Sequence, residues 1–272
     1  MTVEQAGLKS SLIFLFRKVS FVYGMTLGFA LFSPYVLEDV ISSQVQLMLI
    51  CIAIVFFGTI FCGNWAVRKL KTLNDILYVD VDPDRFLELF VKELYSSKPE
   101  KWRGAALVYA AQAYHMQGSF RQEEALYLKY LNEDKKKLSG KLTPRDDFAI
   151  LGRLVILYGD AENAAGAQKA FDKFREIAAN IEPIPSDDEY KDFIYNCYLK
   201  GVGRYSDCVG FFEWHCNKRP NELCTLASHF RLAEVYKALG STEEAEREYR
   251  IVAETGKNTY AAREARRYLE AK

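Results

Sequence analysis

The chain has 272 residues, 50% hydrophobic and 26% charged, which excludes intrinsic disorder and leaves room for one domain plus an appendage, or two small domains. Lys plus Arg and Asp plus Glu both number 36, so a global basic footprint for nucleic acid is excluded. The charges are unevenly spread: residues 1–67 hold three of each sign (Lys9, Arg17, Lys18, Glu4, Glu38 and Asp39), and residues 68–272 hold the other 33 of each.

In chain order, the first feature is a pair of uncharged runs, Val19 to Leu37 and the longer Val40 to Val67. About 20 apolar residues in helical form cross a hydrocarbon core, so residues 1–67 are expected to form a membrane anchor with two transmembrane helices at about 18–37 and 45–67. A cleaved signal peptide is the competing reading of the first run, but Phe32, Ser33 and Pro34 occupy the place of the small-residue cleavage site. Arg17 and Lys18 before the first run, and Arg68, Lys69 and Lys71 after the second, place both termini in the cytoplasm by the positive-inside rule. The compact hairpin suits a multi-pass protein of a bacterial plasma membrane. Gly24 and Gly28 form a Gly-x-x-x-Gly pair that suits close helix packing, within the hairpin or between copies as a homo-oligomer. Neither run contains Asp, Glu, Lys, Arg or His, which favours an anchor in the lipid bilayer over a conduit.

Residues 68–82 read as a linker, and helical periodicity with cap signals begins beyond it. Asp82 before Pro83, Ser97 with Glu100 around Pro99, Thr143 before Pro144, Ser186 with Glu189, and Ser241 with Glu244 mark five helix starts. Aromatic residues then recur in register. Tyr114, Tyr158, Tyr198 and Tyr236 fall late in four first helices, followed at a nearly constant interval by Tyr127, Phe171, Phe212 and Tyr249.

The last unit, with Ala233, Tyr236, Gly240, Ala245 and Tyr249, resembles the tetratricopeptide repeat. In that family small residues let the paired helices pack closely, and a glycine makes the turn. The unit around Tyr158 keeps Ala167 and Phe171. The unit around Tyr114 keeps Ala111, Gly118 and Phe120 but has Glu123 where the packing alanine belongs, and the third has Gly203, Tyr205 and Cys208 shifted by one place. The units follow one another at wider and less even intervals, seen in the succession Tyr114, Tyr158, Tyr198 and Tyr236, than the family's usual repeat of roughly 34 residues. The resemblance implies an all-α chain: the N-terminal transmembrane hairpin, then an α-solenoid of tetratricopeptide-like helix pairs over residues 83–272. Asn258 to Lys272 would cover the last repeat, with Ala261, Ala262, Ala265 and Leu269 on one face.

Chemical motifs are sparse. Cys197, Cys208, Cys216 and Cys224 are spread along the chain, and Cys51 and Cys62 fall in the second run; none makes the close ligand pairs of structural zinc sites. Cys216 beside His215, with Cys208 near, is the one cluster to weigh against buried thiols. His115, His215 and His229 form no HExxH, and neither a phosphate loop nor a serine elbow occurs. Asp146 with Asp147 and Asp187 with Asp188 stand at helix starts, where negative charge suits the helix dipole. Lys135, Lys136 and Lys137 read as a solvated helix end beside Glu133 and Asp134.

No cofactor, metal or catalytic residue is therefore expected, and the chain reads as a non-catalytic adaptor. The resemblance implies a groove for a protein or peptide ligand on the cytoplasmic face, lined by Val108, Gln112, His115, Asp192, Asn196, Phe230, Glu234 and Lys237. The family's basic clamp for a C-terminal carboxylate is absent at these positions. The alternative is an accessory or assembly subunit of a larger membrane complex, held through Gly24 and Gly28. An enzyme, with zinc at Cys216 or Cys208, is the third reading.

Overall fold

A computed structural model describes residues 71–90, 105–132, 144–218 and 222–271, with scattered residues between 52 and 68. Among the described residues the secondary structure is helical, without strands. Residues 71–78 are helical and bury Leu73, Ile76 and Leu77, so part of the expected linker belongs to the packed domain. Then follow α1 (Pro83–Leu89), α2 (Ala105–Gln117), α3 (Phe120–Asn132), α4 (Pro144–Asp160), α5 (Ala164–Ala178), α6 (Asp187–Gly201), α7 (Tyr205–Lys218), α8 (Glu222–Leu239), α9 (Thr242–Thr255) and α10 (Tyr260–Glu270).

The expected transmembrane hairpin and the multi-pass plasma-membrane placement are corrected. No helix among the described residues is long and apolar enough to cross a membrane. An uncharged run measures hydropathy alone, whereas a span needs an unbroken apolar helix of about 20 residues. The longest described helix, α8, has 18 residues and carries Glu222, Arg231, Glu234 and Lys237. The first run, most of the second, and Gly24 and Gly28 lie outside the described residues. Ile52, Phe56, Phe57, Ile60 and Phe61 of the second run are exposed.

Helices α2 to α9 form four consecutive pairs, α2/α3, α4/α5, α6/α7 and α8/α9, each joined by a short turn. The four recurring tyrosines lie in the first helices, and Tyr127, Phe171, Phe212 and Tyr249 are buried in the second. The register has a polar purpose as well as an apolar one. The hydroxyls of Tyr158 and Tyr198 donate to Glu124 Oε1 and Gln168 Oε1 at 2.6 Å, and that of Tyr236 donates to Glu213 Oε1. Each bond reaches back to the second helix of the preceding pair, so the phenol ring fills the seam and its hydroxyl fixes the stagger.

Turn chemistry follows the same period. Gly118, Gly203 and Gly240 have φ of 76°, 78° and 79°, a region that costs other residues a clash between Cβ and the next carbonyl. The corresponding turn after α4 has Glu162 at φ 53°. Closer packing occurs where Gly159 of α4 meets Gly201 of α6: a Cβ on Gly201 would lie 2.8 Å from the Gly159 Cα.

Asp82 caps α1 by accepting from the Arg85 N–H, and Asn163 and Thr259 do the same for α5 and α10. The starts at Ser186 and Ser241 are in place, but neither side chain makes a cap hydrogen bond. The box at Ser97 and Glu100 lies outside the described residues.

The last helix returns to the first described pair. Tyr260 packs against Gly118 and against the Phe120 ring, with centroids 5.2 Å apart. Arg263 donates to the Gln117 carbonyl at 2.7 Å, and Lys257 donates to the Asp80 carbonyl at 2.8 Å. The last helix therefore meets α2 through Tyr260 and Arg263, while its small Ala262 and Ala265 are fully buried, Ala265 in the core shared with α8 and α9.

Candidate functional site

Closure leaves a central cavity of about 560 Å3 bordered by the 71–78 helix, α2, α3, α4, α6, α7, α8 and α10. Its wall is built by helical spacing. Gln112, His115 and Met116 share one face of α2, and Arg153, Ile156 and Asp160 share one face of α4, since residues three and four apart lie above one another. Tyr190 and Phe193 of α6, Phe230 and Arg231 of α8, and Tyr260 of α10 complete it.

Asp160, at the end of α4, is the hub of a buried ionic network. Arg231 meets it with two bonds, Nε to Oδ1 at 2.9 Å and Nη2 to Oδ2 at 2.6 Å. His115 Nε2 lies 3.4 Å from Oδ2, and Lys200 Nζ lies 3.9 Å from Oδ1 while also donating to the Gly159 carbonyl at 3.2 Å. On its other edge His115 Nδ1 lies 2.9 Å from Glu123 Oε2. The Arg231 guanidinium also stands 5.4 Å from the centre of the Phe193 ring, a cation–π contact that helps hold it without water.

These contacts set the protonation states. Burial alone would drive the proton from His115, but the charge of Glu123 and the hydrogen bonds that the imidazole donates to Asp160 and Glu123 outweigh it and raise its pKa to about 10. Burial likewise opposes ionisation of Asp160, yet the Arg231 charge, the His115 hydrogen bond and Lys200 hold its carboxyl well below the usual carboxylate range. For Glu123 burial prevails and raises the pKa, with the charge and hydrogen bond of His115 and, more weakly, the charge of Arg153 opposing it. Glu123, where the resemblance led to the expectation of a packing alanine, is thus a counter-ion of His115.

Arg153 differs from the other cations. With the Gln112 amide oxygen facing it, its Nη1 and Nη2 donate to that oxygen at 2.7 and 2.6 Å, and the Gln112 nitrogen faces the Tyr78 hydroxyl. Its further hydrogen bond is to Tyr127. Burial raises the pKa values of Tyr127 and Tyr190, keeping these phenols neutral. Among the described residues no carboxylate lies within salt-bridge distance of Arg153. At the rim Asp187 pairs with Arg145 at 2.8 Å and Glu189 with Lys218 at 3.8 Å. The inner network therefore sets His115, Arg153, Lys200 and Arg231 against Asp160 and Glu123, an excess of two positive charges beside aromatic walls.

Three residues expected from the repeat register line this cavity: Gln112, His115 and Phe230. Val108 packs half-buried against the core. Asp192 is exposed, and the buried Asn196 donates its amide to the Asp192 carbonyl at 2.7 Å. Glu234 accepts from the Tyr249 hydroxyl, and the exposed Lys237 lies 3.7 Å from Glu234. Arg153, Asp160 and Arg231 were not expected from the sequence; the Arg153, Ile156 and Asp160 spacing on a first helix was the available signal.

The cysteine cluster is also rearranged. His215 Nδ1 faces the Ser228 hydroxyl at 2.8 Å, and the buried Cys208 thiol approaches the Tyr205 carbonyl at 3.4 Å. Cys216 instead shares a site with His229 and Glu248, their donor atoms all within 4.8 Å of one another. Burial pushes the thiols of Cys197 and Cys216 up to about 12, so both are protonated at neutral pH. Asp146 and Asp147 lie in the first turn of α4, and Asp187 and Asp188 in that of α6. Lys135 to Lys137 lie outside the described residues. No protein-family profile, curated protein or solved structure matches the chain.

Proposed function

We propose that the chain is a non-catalytic binding module of tetratricopeptide-like helix pairs that receives a short segment of a partner protein in its central cavity. The carrying observation is Arg153, a cation with neutral hydrogen-bond partners facing an aromatic-walled space. A desolvated guanidinium with fixed neighbours favours a carboxylate, which it meets through two parallel bonds. The volume, about 560 Å3, falls in the roughly 300–1,000 Å3 range of small-ligand sites. It suits a few residues with one acidic group and an apolar side chain, in place of the long extended peptide that an open groove would hold. The inner ion network keeps the remaining cations occupied, so they shape the wall while Arg153 reads the ligand.

The test places a photo-crosslinking amino acid at position 156 of the full chain in its native cells and maps the adducts by mass spectrometry. The expected result is a defined segment carrying a carboxylate, lost when Arg153→Met is added. An absence of adducts, or adducts indifferent to Arg153→Met, would refute the reading.

A further inference from the structure

Outside the cavity, three neighbouring helices bring unlike metal-binding side chains to one point. Cys216 comes from the last turn of α7, His229 from the middle of α8 and Glu248 from the middle of α9. None of the three borders the cavity. Glu248 is buried, and Cys216 and His229 are each partly buried. We propose that Cys216, His229 and Glu248 bind a zinc ion, with solvent completing the coordination.

The donor set selects the metal. Thiolate, imidazole and carboxylate together suit a borderline cation such as zinc; calcium and magnesium take oxygen ligands. Metal–ligand lengths of about 2.0–2.3 Å require donor atoms closer together than the present outer limit of 4.8 Å, a change that side-chain rotation supplies. The pair His229 Nδ1 and Glu248 Oε2 is now joined by one hydrogen bond at 2.5 Å. That bond holds both groups in place without a metal; zinc would part them, the Nδ1 proton passing to Nε2 or to solvent, so that Nδ1 and Oε2 each offer a lone pair. Arg247 Nε donates to Glu248 Oε1 at 3.1 Å, an outer contact that leaves Oε2 turned inward toward His229. Ligation releases the Cys216 proton to solvent, so affinity rises with pH. The ion would tie the third helix pair to the fourth, the same pairs that supply Phe193 and Arg231 to the cavity. The three residues stand far apart in sequence, one on each of three successive helices, which is why no ligand motif is visible there.

The experiment titrates the reduced, metal-stripped full chain with cobalt, a spectroscopic substitute for zinc, and measures bound zinc after reconstitution. The expected results are one zinc per chain and a thiolate-to-cobalt charge-transfer band. Cys216→Ser removes that band and weakens zinc by more than the roughly 10–100-fold typical of an outer contact; Arg247→Ala weakens it within that range. No charge-transfer band in the wild-type chain overturns the proposal, since that result needs no variant to fold. A band that persists in Cys216→Ser overturns it equally.

Discussion

His115→Gln tests the buried network through its pH dependence. In the folded protein burial works against the His115 proton, but Glu123 and Asp160 outweigh it and raise the pKa from 6.5 to about 10. Below about pH 6.5 the imidazole is protonated in both folded and unfolded chains, and the full stabilisation is present. Between 6.5 and 10 the unfolded chain gives up the proton and the folded chain keeps it, so the contribution declines steadily and vanishes as pH passes through the folded value. At about 1.4 kcal/mol per tenfold change in proton affinity, the ceiling is about 5 kcal/mol. The imidazole is 27% exposed, and screening by water brings the expected size to about 3 kcal/mol. Urea unfolding of wild type and His115→Gln at intervals from pH 6 to pH 10 reads this directly. The difference between the two curves should be about 3 kcal/mol at pH 6 and close to nothing at pH 10. The tyrosines and lysines titrate in both proteins, so their effects cancel in the difference. Parallel curves across the range would refute the assigned coupling of His115 with Glu123 and Asp160.

Three further outcomes follow from the packing. Asp160→Asn leaves the buried Arg231 and Lys200 without their shared counter-ion and His115 with Glu123 alone, and denaturant unfolding at pH 7 should show a loss of about 3–5 kcal/mol. Gly201→Ala forces a Cβ to within 2.8 Å of the Gly159 backbone, and the same assay should show about 1–3 kcal/mol of destabilisation. Glu162→Gly relieves the left-handed strain at φ 53°. Its gain of about 1 kcal/mol should appear as a higher melting temperature, in contrast to most glycine substitutions.

The helical class and the pairing of helices were legible because aromatic residues recur at a nearly constant interval within each pair. The recurrence of Tyr158, Tyr198 and Tyr236 encodes both the buried ring and the hydroxyl that reaches the preceding pair. Cap chemistry was legible at Asp82, where Pro83 fixes the first turn. It misled at Ser186 and Ser241, where the start is correct but the side chain makes no bond; the motif records a helix start without guaranteeing its hydrogen bonds. The membrane hairpin read from the charge-free runs was not supported, since no helix among the described residues is long and apolar enough to cross a membrane. The cavity was partly legible. Gln112, His115 and Phe230 follow from the repeat register, but the register assumes an open groove. Closure by Tyr260 and Arg263 of α10 changes which faces look inward, and no local pattern announces a contact between residues 146 positions apart. The glutamate at 123 was visible as a departure from the pattern, and its partner could be found only in three dimensions.

The most direct test of the central claim is calorimetric titration of the full chain with paired short peptides, each containing one aromatic residue and differing only in aspartate versus asparagine beside it. A charge-assisted bond to Arg153 contributes about 1.5–3 kcal/mol, so the aspartate member should bind roughly 10–100-fold more tightly, and Arg153→Met should bring the pair level. Equal binding of the two peptides by the wild-type chain, or a preference that survives Arg153→Met, would contradict the assignment of Arg153 as the group that reads the ligand.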